Sequence, residues 1–134
     1  MAKTSSPIHA LQELLEKMHP ILNEGVYVFI STEERLPDSV RIISSIRERE
    51  GFSIIISEED AQQLGLEPVL RFAWITLEVH SDLTATGFTA AFSSALAAKG
   101  ISCNVVAGAF HDHLFVPVEQ ADEALRVLTR LQTQ

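Results

Sequence analysis

Ile8, Leu11, Leu14, Leu15 and Met18 recur at three- and four-residue spacing, the stripe of an amphipathic helix. Ser6 and Pro7 supply an N-cap and the favoured first helical position. Pro20 stops this helix by disfavouring helical backbone at His19. After Gly25, the run Val26–Ile30 is apolar on both faces, the mark of an interior strand. Glu33, Glu34 and Pro37 predict a loop, with a strand over Val40–Ile46. Gly51 turns the chain into a strand at Phe52–Ile56. Ser57 then caps a short helix whose first turn holds Glu58, Glu59 and Asp60, where the helix dipole favours acid. Gly65 ends it.

The second half is more sharply patterned. Phe72–Val79 is a strand, and His80–Thr86 is a loop of polar and small residues. From Gly87 the period becomes helical, with Phe88, Ala91, Phe92, Ala95 and Leu96 on one stripe and Gly100 as the stop. Ile101–Ala107 is a strand, residues 108–112 a hairpin connection, and Leu114–Val116 the returning strand ended by Pro117. Ala121, Ala124, Leu125, Leu128 and Leu131 form a last amphipathic helix, acidic at its start and basic at its end.

The second half therefore reads strand–helix–strand–strand–helix, a split βαβ pattern with a parallel, right-handed crossover between its first two strands. The first half repeats a helix–strand–strand–helix core, with a connection of about 20 residues between its strands. The second half lacks a fourth strand, and a strand from the first half is expected to complete its sheet. The expected boundary divides residues 1–68 from residues 69–134.

Composition narrows the function. The 134 residues are 46% hydrophobic and 21% charged, enough to bury a core. The formal net charge of −8 argues against nucleic-acid binding, which needs a basic face. Arg41, Arg47 and Arg49, the tightest basic grouping, sit beside Glu48 and Glu50 and read as a solvated strand or loop face. The single cysteine, Cys103, lies in an apolar run and reads as a small hydrophobe without a disulfide or zinc partner. The N-terminus lacks the pattern of a signal peptide, and no apolar run approaches membrane-spanning length. A cytoplasmic protein is the expectation.

The loop His80–Gly87 leaves a strand and enters a helix. The unpaired amide groups of a helix start favour anions, so a ligand carboxylate fits there, with Asp82 facing a ligand ammonium group and Gly87 allowing close approach. The competing reading is that Ser81, Asp82, Thr84 or Thr86 merely caps the helix.

The runs Phe72–Leu77, His80–Leu83 and Thr86–Ala90, together with Gly100–Gly108 and His111–Pro117, resemble the ACT domain. They are similar in particular to a small group of bacterial ACT-domain proteins of uncharacterised function, and more distantly to the tandem ACT arrangement of the eukaryotic cytosolic arginine sensor. The resemblance implies an α+β, ferredoxin-like βαββαβ fold in tandem, partly degenerate modules packed as one unit. It also implies a non-catalytic regulatory module that binds an amino acid or similar metabolite between modules or subunits, in a homodimer or larger assembly. The ligand positions it implies are Ser81, Asp82, Leu83, Thr86 and Gly87 on the loop, Asn104, Val105 and Val106 on the second strand, and His111. No cofactor is implied. The first half lacks an equivalent glycine-bearing loop after its first strand, so a second, symmetric site is in doubt.

Two other functions stay in play. His80, His111 and His113 allow a three-histidine metal site, hence a metal-assisted enzyme, with His111 and His113 sharing a strand face and Asp112 pointing the other way. A protein-assembly module is the other. Nucleophilic catalysis has no support, because neither a G-x-S-x-G elbow nor a glycine-rich phosphate loop is present. His9 and His19 are expected to face solvent.

Overall fold

The computed structural model describes residues 10–133. Ser6, Pro7, Ile8 and His9 lie outside that range, so the expected start of the first helix does too. Helix α1 is Leu11–Lys17 and ends one turn short of Pro20, where the sequence places its stop. Proline does more than stop it. Pro20–Leu22 forms a short strand, β1, with Pro20 at its first residue, a strand position that tolerates the missing N–H. This strand was not anticipated.

Strand β2 is Tyr27–Thr32 and β3 is Ser44–Glu48, beginning four residues later than the expected Val40. Strand β4 is Gly51–Ser57. Helix α2, Glu58–Gln63, starts at Ser57, whose hydroxyl accepts from the Asp60 N–H at 3.0 Å. The second half follows as β5 (Phe72–Leu77), α3 (Phe88–Ala97), β6 (Asn104–Ala107), β7 (Asp112–Pro117), a 3-10 turn at Val118–Gln120 and α4 (Ala121–Gln132).

The strands form one antiparallel sheet in the order β3-β4-β2-β5-β7-β6, with β1 also paired to β5. Strand β7 lies between β5 and β6 and is antiparallel to both, so those two run parallel in direction without touching. The expected completing strand from the first half is β1, with Pro20↔Leu77 and Leu22↔Ile75 in register. Strand β2 meets β5 only at Tyr27↔Phe72. Each half thus contributes a strand beside the other's first strand.

Period-two alternation assigns the faces. Ala73, Ile75, Leu77, Leu114 and Val116 face α1, α3 and α4 and form the larger core with Leu14, Met18, Phe92 and Leu128. Val28, Ile54 and Ile56 face α2 and form a smaller core with Ala61. The opposite faces of the two halves meet through Tyr27, Ile55, Phe72 and Phe115, with Trp74, Ile43 and Val106 against them. Tyr27, Phe29, Phe72, Trp74 and Phe115 make edge-on or stacked ring pairs there, with centroids 5.1 to 6.4 Å apart. Helix α1 comes from the start of the chain, yet it packs in the core of the second half.

Candidate ligand site

Strands β5 and β6 point the same way, so their C-terminal ends and the start of β7 gather at one end of the sheet. The register places Leu77, Asp112 and Ala107 side by side there. The loop His80–Gly87 passes over this end and enters α3. A pocket of about 90 Å³ lies beneath it, lined by Ser81, Asp82, Leu83, Ala85, Phe88, Thr89, Ala107 and Asp112.

The start of α3 carries no side-chain cap. Its N-cap is Gly87 at φ +92, a left-handed conformation that glycine adopts without strain. None of Ser81, Asp82, Thr84 and Thr86 caps the helix, so the capping alternative does not describe this loop. Asp82 instead ties the loop to itself. Its Oδ1 accepts from the Thr84 backbone N–H at 2.6 Å and from the Thr84 hydroxyl. A helix that begins without a side-chain acceptor leaves its first amide groups open to an anion.

Asp112 is the residue the sequence reading passed over. It is 8% exposed, and its carboxylate accepts no hydrogen bond among the described residues. No buried side-chain oxygen or nitrogen in the described structure is left unsatisfied, so its oxygens open on to the pocket. Burial pushes its carboxyl pKa up, and the charge of neighbouring His111 opposes that only in part. A buried carboxylate without a hydrogen-bond donor favours a cationic partner.

The expected ligand residues divide among several places. Ser81, Asp82 and Leu83 line the pocket, with Ser81 buried and Leu83 70% exposed at the rim. Thr86 and Gly87 stand beside it at the helix start. His111 belongs to the hairpin turn before β7, its Nδ1 3.4 Å from the Val79 carbonyl oxygen at the base of the loop. Asn104 sits at the far end of β6, and its amide donates to the Phe115 carbonyl at 3.2 Å. It is three residues, roughly 10 Å along an extended strand, from Ala107. Val106 and Asn104 face the other half, while Val105 packs on the helix-side core. The structure therefore brings the loop to Ala107 and Asp112, and not to Asn104–Val106.

The histidines do not converge. His113 lies on the inner face, with Nδ1 3.1 Å from Trp74 Nε1 and 3.1 Å from Thr76 Oγ1. His80 packs its ring on Phe110, centroids 4.9 Å apart, at the outer end of the loop. His111 lies in the turn, so the expected shared strand face with His113 does not form, whereas Asp112 does point the other way. Among the described residues no group of three metal-binding side chains exists. His19 is exposed, as expected, and Cys103 is half-buried, its thiol pKa pushed up to about 11 by burial.

Comparison with known proteins places this geometry. ACT-domain models match residues 6–73 and residues 69–130. The chain belongs to the ACT-domain family, with two ACT domains in tandem. A crystal structure of a Vibrio cholerae protein of unknown function, described as a possible transport protein, is 46% identical over 91% of this chain and 95% of its own, with a TM-score of 0.82. The ligand-free regulatory subunit of aspartate kinase from Thermus thermophilus shares the fold at 14% identity, covering 84% of this chain and 95% of that one, with a TM-score of 0.64. An Agrobacterium tumefaciens protein shares it at 19% identity, 87% and 90% coverage and a TM-score of 0.61. No curated protein matches the chain. The matches meet at residues 69–73, where β5 begins.

Proposed function

We propose that this protein is a non-catalytic regulatory module that binds an amino acid under the β5–α3 loop. The observation that carries the reading is one pocket lined both by the start of α3 and by Asp112. The uncapped start of α3 suits a carboxylate, and Asp112 suits an ammonium group. An α-amino acid carries both groups on one carbon. Family membership and the kinship in fold with a regulatory subunit support a sensing role over a catalytic one.

A pocket of about 90 Å³ holds the backbone of such a ligand and little side chain. The remaining wall is proposed to come from a second copy of the chain, for which the exposed Leu83 at the rim provides an apolar anchor. Binding would then bias how two copies pack, the differential contact a sensor requires.

A thermal-shift screen of the full chain against the twenty amino acids tests the reading. A ligand at a hundred times its dissociation constant adds about 2.7 kcal/mol. At least one amino acid raises the melting temperature, and its decarboxylated amine does not. If none of the twenty shifts the transition, the proposal fails.

A further inference from the structure

The aromatic interface between the two halves contains polar groups that its packing does not require. Asn23 Nδ2 donates to Thr76 Oγ1 at 2.9 Å and to the Trp74 carbonyl at 3.2 Å. Thr76, 8% exposed, is 3.1 Å from His113 Nδ1, and the Trp74 indole N–H donates to the same nitrogen at 3.1 Å. An indole N–H aimed at Nδ1 holds that atom as an acceptor, which places the ring proton on Nε2. Burial, helped by the charge of His111, lowers the His113 pKa and so favours the neutral ring. The chain Asn23–Thr76–His113–Trp74 thus fixes one imidazole and one indole in a single orientation.

Beside these rings is a cavity of about 280 Å³, lined by Trp74, His113, Val106 and Phe115 from the second half and by Arg41 to Ser44 from the first. That is just below the ~300–1,000 Å³ typical of sites for drug-sized ligands. Arg41 forms no ion pair among the described residues, in contrast to Arg35, Arg71 and Arg126, which each pair with an acid. Its backbone is fixed from behind, where the Arg41 N–H donates to Asp60 Oδ2 at 3.3 Å. A larger cleft nearby, about 440 Å³ around Phe29, Val69 and Phe72, has no charged lining residue.

We propose that the cavity between the two halves is a second ligand site, separate from the β5–α3 pocket, that takes a small carboxylate with a compact apolar body. Arg41 pairs with the carboxylate, the Ser44 hydroxyl adds a hydrogen bond, and Ile42, Ile43, Val106, Trp74 and Phe115 surround the apolar part. The pocket's charge and its walls come from different halves. Occupancy therefore clamps the two halves together, which gives the aromatic interface a ligand-dependent strength.

Trp74 is the chain's only tryptophan, so its fluorescence reports this cavity directly. Isovalerate, phenylacetate and cyclohexanecarboxylate are titrated into the full chain, each beside its neutral amide. At least one carboxylate changes the emission saturably, and its amide does not. Arg41→Gln weakens that carboxylate about tenfold or more, the loss of one charge-assisted contact. Arg47→Gln leaves the affinity unchanged, because that guanidinium lies 4.7 Å over the Phe52 ring and outside the cavity. Failure of all three acids to give a saturable change overturns the proposal. So does an equal response to the amide, or an unchanged affinity in Arg41→Gln.

Discussion

The two halves share a strand–strand–helix core and differ at the connection after the first long strand of each. In the second half, β5 leads through the His80–Gly87 loop into the ten-residue helix α3. In the first half, β2 leads into residues 33–43, which hold no helix, before β3 begins at Ser44. The helix start is what supplies unpaired amide groups, and with it the anion pole of the pocket. The half without that helix has no such pole. It contributes instead α1, β1 and Arg41, which serve the core, sheet and interface of its neighbour. On the proposed reading, the amino-acid pocket belongs to the second half, and the first half completes its core and sheet.

If the halves are one cooperative unit, core damage on either side must move the same transition. Phe92→Ala empties a fully buried position on the inner face of α3 and is expected to cost about 3–5 kcal/mol. Ile56→Ala, equally buried under α2, is expected to cost about 2–5 kcal/mol. Both should shift a single thermal unfolding transition, because β1 and β5 each lie beside strands of the other half. Two separated transitions in either variant would break the comparison.

The two helix starts give a finer contrast. Gly87→Ala forces a side chain into φ +92 and is expected to cost about 1–2 kcal/mol by denaturant unfolding. Its Cβ would meet only the two methyl groups of Leu11, the nearer at an ordinary 3.4 Å, so the cost is backbone strain and not a clash. Ser57→Ala removes the side-chain cap of α2 and is expected to cost about 1 kcal/mol. Thr86→Ala, next to an uncapped helix, should stay within about 0.5 kcal/mol of the wild type. A Thr86 loss equal to that at Ser57 would mean the start of α3 is capped after all.

Asp112 gives the smallest effect on stability and the clearest sign. Burial raises its folded pKa above the unfolded value. Stability is therefore lost as pH rises from the unfolded pKa through the folded one, and the deficit persists above it. Asp112→Asn removes that deficit. The ligand-free variant should melt no lower than the wild type at neutral pH, and its advantage should vanish below the ordinary carboxylate range. The same variant should abolish the response to an amino acid, whose affinity in the wild type should fall as acidification protonates Asp112.

Much of this was legible in the sequence because local signals agreed with the fold. The Ser57 cap, the α3 stripe and the glycine stops at Gly65 and Gly100 each rest on neighbours a few residues apart. Strand β3 was placed too early because its polar, exposed residues, among them Ser45, Arg47 and Glu48, leave only a weak alternation on an edge strand. Strand β1 was hidden because Pro20 is equally good as a helix stop and a strand start. The loop at Ser81–Leu83 was visible as a polar break. Its partner was not, since pairing registers decide which end of β6 it meets. Counting from Leu77 across Asp112 to Ala107 reveals the pocket, and that count needs the sheet. Asp112 sits between two histidines that drew the chemical reading, while the alternation that turned it away from His113 turned it towards the loop.

The central proposal, that an amino acid binds under the β5–α3 loop of the second half, is tested most directly by mapping backbone amide chemical shifts during titration with the amino acid that raises the melting temperature. The account predicts the largest shifts at Ser81 to Thr89, Ala107 and Asp112, with residues 33–43 unmoved. Shifts centred on residues 33–43, with the β5–α3 loop unchanged, would contradict it.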